Sequence, residues 1–135
     1  MADEAVIIEL LGNQGDPIRF TCADGATIEK GTLMEVTDPR TVVKVSGANT
    51  ALVGIAAAEK VANDGATTIA VYTNGIFDLT ISASGITTLG FDVVANAGDN
   101  KVEDFDTLDG EKGYAIGKSL ESGGNNEVVA VRVLK

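Results

Sequence analysis

The sequence predicts an all-β fold, a small β-barrel or sandwich built from two similar halves behind an N-terminal arm. Three observations carry this. Glycine occurs 16 times in 135 residues, often beside Asp, Asn or Ser ("ADG", "NDG", "TNG", "ASG", "LDG", "ESGG"), and such pairs supply the positive-φ positions of tight turns. Between the turns lie short segments rich in Val, Ile and Thr, several alternating apolar with polar as half-buried strands do. Finally, "FDLTISASGITTLGFDVVA" at residues 77–95 echoes "RFTCADGATIEKGTLMEV" at residues 19–36.

Taken from the N-terminus, residues 1–17 ("MADEAVIIELLGNQGDP") join an acidic tip to an apolar stretch broken by Glu9, then a Gly15-Asp16-Pro17 break. This segment is expected to be an edge strand or an extended arm. As an arm it makes Val6, Ile7, Ile8, Leu10 and Leu11 the candidate interface residues, seeking cover on a neighbouring subunit. Residues 18–135 then read as a single β-domain with strands in "TVVKVSG", "ALVGIA", "TTIAVYT", "FDLTIS", "FDVVA" and "EVVAVRVL". Ala56–Asp64 ("AAAEKVAND") is the one helix-favouring stretch, and at most a short helical turn is expected there.

The echo extends into two pseudo-repeats, residues 18–73 and 77–134. Thr21 falls on Thr80 and Gly31 on Gly90 at a shift of 59, and Gly25 on Gly85 at 60, which implies an indel in that turn. Further on, Gly54 is matched to Gly113, Asp64-Gly65 to Gly123-Gly124, and Ile69 to Val129. Two such units would pack face to face, because neither alone buries its apolar face. The alternative is chance recurrence of Gly and Thr in a turn-rich chain.

Composition narrows the function. The chain is 44% hydrophobic, 22% charged and only 4% aromatic, so one domain with a Val, Ile, Leu and Ala core is expected. Twenty acidic against ten scattered basic residues give a formal charge of −10, which sets nucleic acid aside. With no His and a single Cys, intrachain disulfides, Cys-rich zinc sites and His-based catalysis are excluded. The start "MADEAVIIELLG" has acids where a signal peptide carries cations, and the apolar runs fall short of the roughly 20 residues that span a bilayer. A soluble protein made without export, and no membrane partner, are expected.

The candidate chemistry is thin. Glu103, Asp104, Asp106, Asp109 and Glu111 form an acidic cluster that suggests a cation loop, but the EF-hand spacing fails and a solvated turn is the plainer expectation. Cys22 sits where the second unit has Ile81, and Arg19 is its only evident basic neighbour, so a buried inert thiol is expected. "GYAIGKS" at residues 113–119 ends like a phosphate-binding loop but lacks its glycine spacing. No enzyme and no cofactor are expected. A paired-carboxylate site is disfavoured by the scarcity of sugar-stacking aromatics.

In its ordered motifs the chain resembles the capsid decoration, or cement, proteins of tailed double-stranded DNA viruses. The likeness lies in "KGTLMEV", "LVGIAAAEKVANDGATTIAVYTNGIFDL", "GFDVVANAGDNKVE" and "KGYAIGKSLESGGNNEVVAVRVL", over about residues 18–134. The resemblance implies a compact β-barrel or sandwich that assembles as a homotrimer. It implies the major capsid protein as partner, a place on the outer capsid surface after synthesis in the host cytoplasm, and a stabilising role. It carries no residue role onto the arm, where such proteins differ most. The rival expectation is a sugar- or surface-binding β-module, such as an adhesion or tail-fibre accessory domain, using exposed loops on the same scaffold.

Overall fold

A computed structural model describes residues 15–48, 50–105 and 113–135, all of them strand, turn or loop. The strands of the first half are β1 (Ile18–Thr21), β2 (Leu33–Asp38), β3 (Thr41–Lys44), β4 (Leu52–Ala56) and β5 (Thr68–Tyr72). Those of the second half are β6 (Asn74–Thr80), β7 (Asp92–Ala95), β8 (Val102–Asp104), β9 (Gly117–Ser119) and β10 (Val128–Leu134). The first five close into a barrel in the order β1-β3-β2-β4-β5, with β5 returning to β1. The second five form a sheet in the order β6-β10-β9-β7-β8, and a parallel bridge between Ile81 and Val102 links its two ends.

Matching β1–β5 to β6–β10 in sequence order reproduces the same neighbours in both halves. β1 pairs antiparallel with β5 as β6 does with β10, and β2 lies between β3 and β4 as β7 does between β8 and β9. Even the lone bridges correspond: Ile28 to Lys60 in one half, Thr87 to Gly123 in the other. Gly31 and Gly90 take φ of +91° and +83° and donate to the carbonyls of Ala56 and Ser119 respectively, so the shift of 59 is correct at this turn.

Three of the sequence matches need correction. Met34 faces Gly54 across the β2–β4 ladder and Val93 faces Gly117 across β7–β9, so the partner of Gly54 is Gly117, not Gly113. By the same register Lys60 corresponds to Gly123 and the left-handed Asn63 (φ +62°) to Asn126 (φ +61°), which displaces the Asp64-Gly65 match as well. In the first turn, Ala26 donates to Ala23 as Gly85 donates to Ser82. Ala26 and not Gly25 is therefore the counterpart of Gly85, and no indel falls there. Loop length caused the slip: the loop before β9 is longer than that before β4, and the one after it shorter. The Ala56–Asp64 stretch finishes β4 and continues as bends and a turn, because its backbone is committed to bonds with β5 and with Ile28.

Two apolar clusters fill the molecule. Cys22, Ile28, Met34, Val42, Ala56, Ile69 and Val71 form the interior of the first barrel. The second cluster holds the matching interior of the other half, including Ile81, Val93, Val102, Val129 and Val131, but adds Leu33, Val45, Leu52 and Ile55 from the first half. A register shift at Val53 explains how β4 serves both clusters: the skipped residue puts Leu52 and Ile55 on one side, Val53 and Ala56 on the other.

Gly54 and Gly117 sit where their neighbour strand passes too close for a side chain. A methyl group at Gly54 would overlap the Tyr72 carbonyl oxygen, and one at Gly117 the Arg132 carbonyl oxygen. Because these are backbone atoms of a paired strand, neither can swing away. Gly54→Ala and Gly117→Ala are each expected to lower stability by roughly 1–3 kcal/mol or more. Gly47→Ala, with nothing within 4 Å of its added methyl, should stay within about 0.5 kcal/mol. Denaturant midpoints at unchanged slope measure this, and equal effects at all three positions would refute the close-approach explanation.

Candidate functional site

The predicted interface residues Val6, Ile7, Ile8, Leu10 and Leu11 lie outside the described residues, as do Asp106, Asp109 and Glu111 of the acidic cluster. What remains of that cluster is built into the sheet rather than into a solvated loop: Glu103 and Asp104 belong to β8. Asp104 accepts the Thr88 amide at 2.9 Å and the Thr88 hydroxyl at 2.7 Å, fastening the loop before β7 to the strand. Among the described residues no group of three His, Cys, Asp or Glu side chains converges as a metal site. "GKS" of the false phosphate loop is strand β9.

Cys22 follows β1, is 3% exposed, and occupies the interior position of Ile81 in the other half, as expected. The basic neighbour is not Arg19 but Lys60, whose proximity favours the thiolate; burial outweighs it and pushes the thiol's pKa up. Nor is the Lys60 amine available as an activator. It donates to the carbonyls of Asp24 at 2.8 Å and Val61 at 3.3 Å, and to Asp64 Oδ1 at 2.7 Å, with Asp24 Oδ1 at 3.6 Å.

This buried lysine is the element that sequence reasoning missed. Lys60 is 3% exposed, bridged through its backbone to Ile28, and its ammonium ties the Asp24 turn to the Asp64 turn at one end of the first barrel. Asp64 also accepts the Val61 and Ala66 amides, and Asp24 accepts the Gly65 amide. The hydrogen bond to Asp64 raises the Lys60 pKa, and the same bond lowers that of Asp64. The only signal available beforehand was "KVAND", which places an acid four residues after the lysine.

Several large apolar side chains are exposed among the described residues. Ile86, Leu89 and Phe91 in the loop before β7 are more than half exposed, as is Leu134 at the end of β10. Leu120 and Leu134 border a cleft of about 260 Å³ that also holds Asp92, Lys118 and Arg132. The cleft has the composition of a docking surface: apolar side chains around a few charges, on the second sheet.

With this architecture the chain can be compared with known proteins. No family model matches it, and no curated protein does. Among solved structures it is similar to the head fiber gp8.5 N base of bacteriophage phi29, with a TM-score of 0.54 over 87% of this chain and 92% of that one, at 12% sequence identity. The two share a fold.

Two outcomes follow from the buried groups. Cys22 should resist thiol reagents in the native protein and react only on unfolding; rapid native labelling would contradict its burial. The Lys60–Asp64 pair should give stability a defined pH window. Asp64 titrates below its ordinary 3.8, so its contribution is complete above that value and fades as pH falls through the lowered one. Lys60 titrates above its ordinary 10.5, so its contribution is complete below that value and fades as pH rises through the raised one. The melting-temperature deficit of Asp64→Asn should accordingly be widest between those limits and narrow toward both extremes, whereas a deficit independent of pH would mean the ion pair is idle.

Proposed function

We propose that this protein is a structural component of a phage virion that binds the outer surface of the capsid and stabilises it, as a decoration or cement protein. The observation that supports this best is the fold it shares with a phage head fiber base over most of both chains. The motif order that resembles decoration proteins points the same way, and a turn-rich β scaffold suits a protein whose work is to hold a surface. On this reading residues 18–135 act as one β-domain made of two pseudo-repeats. The partner is the major capsid protein, and the assembled form is a homotrimer.

Attachment through the N-terminal arm follows from its composition. Val6, Ile7, Ile8, Leu10 and Leu11 precede the Gly15-Asp16-Pro17 break and the first barrel strand, Ile18–Thr21. Covering each such side chain on a capsid or a neighbouring subunit contributes roughly 1.5–3 kcal/mol before ordering costs. Removing residues 1–12 should thus leave thermal unfolding of the β-domain nearly unchanged while sharply reducing co-sedimentation with undecorated capsids. Loss of folding would make the segment an integral strand, and undiminished binding would move attachment to the loops of the β-domain. Failure of the intact protein to saturate capsids at all would overturn the cement function itself.

A further inference from the structure

The two halves act as controls for each other, because equivalent positions share a backbone and differ in their surroundings. In the first half one face is covered. Leu33 and Ile55, register partners on β2 and β4, are buried in the second half's core. The Leu33 amide donates to Asn100 Oδ1 at 2.6 Å, and Asn100 Nδ2 donates to the Gly31 carbonyl at 3.2 Å. Thr27 and Thr32 line a junction cavity of about 340 Å³ whose opposite wall is Gly98, Asp99 and Asn100.

The equivalent face of the second half differs systematically. Ile86 and Phe91 stand where the first half has Thr27 and Thr32, and they are 57% and 55% exposed. Leu33 and Ile55 are replaced by the register pair Asp92 and Lys118. The surface that covers this face in the first half also has its own counterpart. Asn100 (φ +64°) is the left-handed residue of the β7–β8 turn, and Arg40 (φ +51°) is that of the β2–β3 turn. Beside Arg40 lie Asp38 and Val36, the latter 37% exposed at the position of Ala95.

We propose that the second-half face bearing Ile86, Phe91, Asp92, Lys118, Leu120 and Leu134 docks a second copy of this chain, which presents to it the β2–β3 turn of its first half. The contact continues between molecules the junction that joins the halves within one. Its charges are complementary: the turn carries Asp38 and Arg40, whose guanidinium also donates to the Arg19 carbonyl at 3.3 Å, and the face carries Asp92 against Arg40 and Lys118 with Arg132 against Asp38. Charges replace the buried Leu33–Ile55 pair because this contact forms between chains that must first be soluble alone. The two surfaces differ, so the interface is heterologous, closing into a ring or extending as a filament.

The test uses the purified full chain without capsids, so its outcome is separate from that of the capsid reading. Sedimentation across the micromolar range should show concentration-dependent assembly. Phe91→Asp combined with Leu120→Asp should weaken assembly roughly tenfold or more, as loss of central anchors does, without lowering the unfolding temperature. Asp92→Arg and Arg40→Asp should each weaken it alone, and combining the two in one chain should restore assembly. A wild-type chain that stays monomeric throughout, or a face variant that assembles like wild type, overturns the proposal. So does assembly that survives the face substitutions and is lost only on removing residues 1–12, which would seat the contact on the arm.

Discussion

Leu33, Leu52 and Ile55 belong to strands of the first barrel and Val45 follows β3, yet all four are buried among the interior residues of the second half, and much else in the structure depends on that shared core. A closed five-stranded barrel buries only its inside, and with this chain's few aromatics that inside is filled by small branched residues. Turning four further apolar side chains outward into a second core contributes roughly 1.5–3 kcal/mol per side chain. It also joins the halves in one packing unit. The register shift at Val53 makes this two-sided use of β4 achievable, and Asn100 completes the junction by satisfying the Leu33 amide at 2.6 Å.

The same constraint explains which features were legible in the sequence. Turns and strands were, because Gly-Asp and Gly-Asn pairs and alternating Val or Thr segments act over a few residues: β5, β6, β7 and β10 fall where their patterns place them. The repeat was legible where loop lengths agree, as at Gly31 and Gly90, and slipped where they differ, as at Gly54. β2 hid its role, since Leu33, Met34 and Glu35 are all buried and no alternation marks a strand covered on both faces. Lys60 was illegible for a different reason. Its burial depends on acceptors from Asp24, 36 residues earlier, and nothing local distinguishes it from a solvated lysine.

Where the halves agree, the shared residues report what the fold requires; where they differ, they report what surrounds them. Gly54 and Gly117 agree because a neighbouring carbonyl leaves no room for a side chain in either half. The interior positions of Ile28 and Ala56 become Thr87 and Ser119, and both hydroxyls donate to the Glu121 carbonyl, so these two polar atoms enter that core with a partner. Lys60 becomes Gly123, which removes the cation from this turn, while Asp64 becomes Glu127, which accepts the Gly124 amide as Asp64 accepts that of Val61.

Differences at the surface have no such internal explanation. Replacing Thr27 and Thr32 by Ile86 and Phe91 exposes apolar area that folding of the second half does not need, and it costs solubility in a monomer. Gly31 and Gly90 take the same left-handed conformation at the two places, so backbone strain does not account for the change. A surface that becomes more apolar on the half whose equivalent face has no covering half within the chain is the pattern expected of a contact made after folding. Together with the apolar residues 6–11 that the sequence places ahead of the first strand, it concentrates the features unexplained by stability at positions suited to assembly. The apolar interior of the described residues, by contrast, is accounted for by the packing of its two clusters.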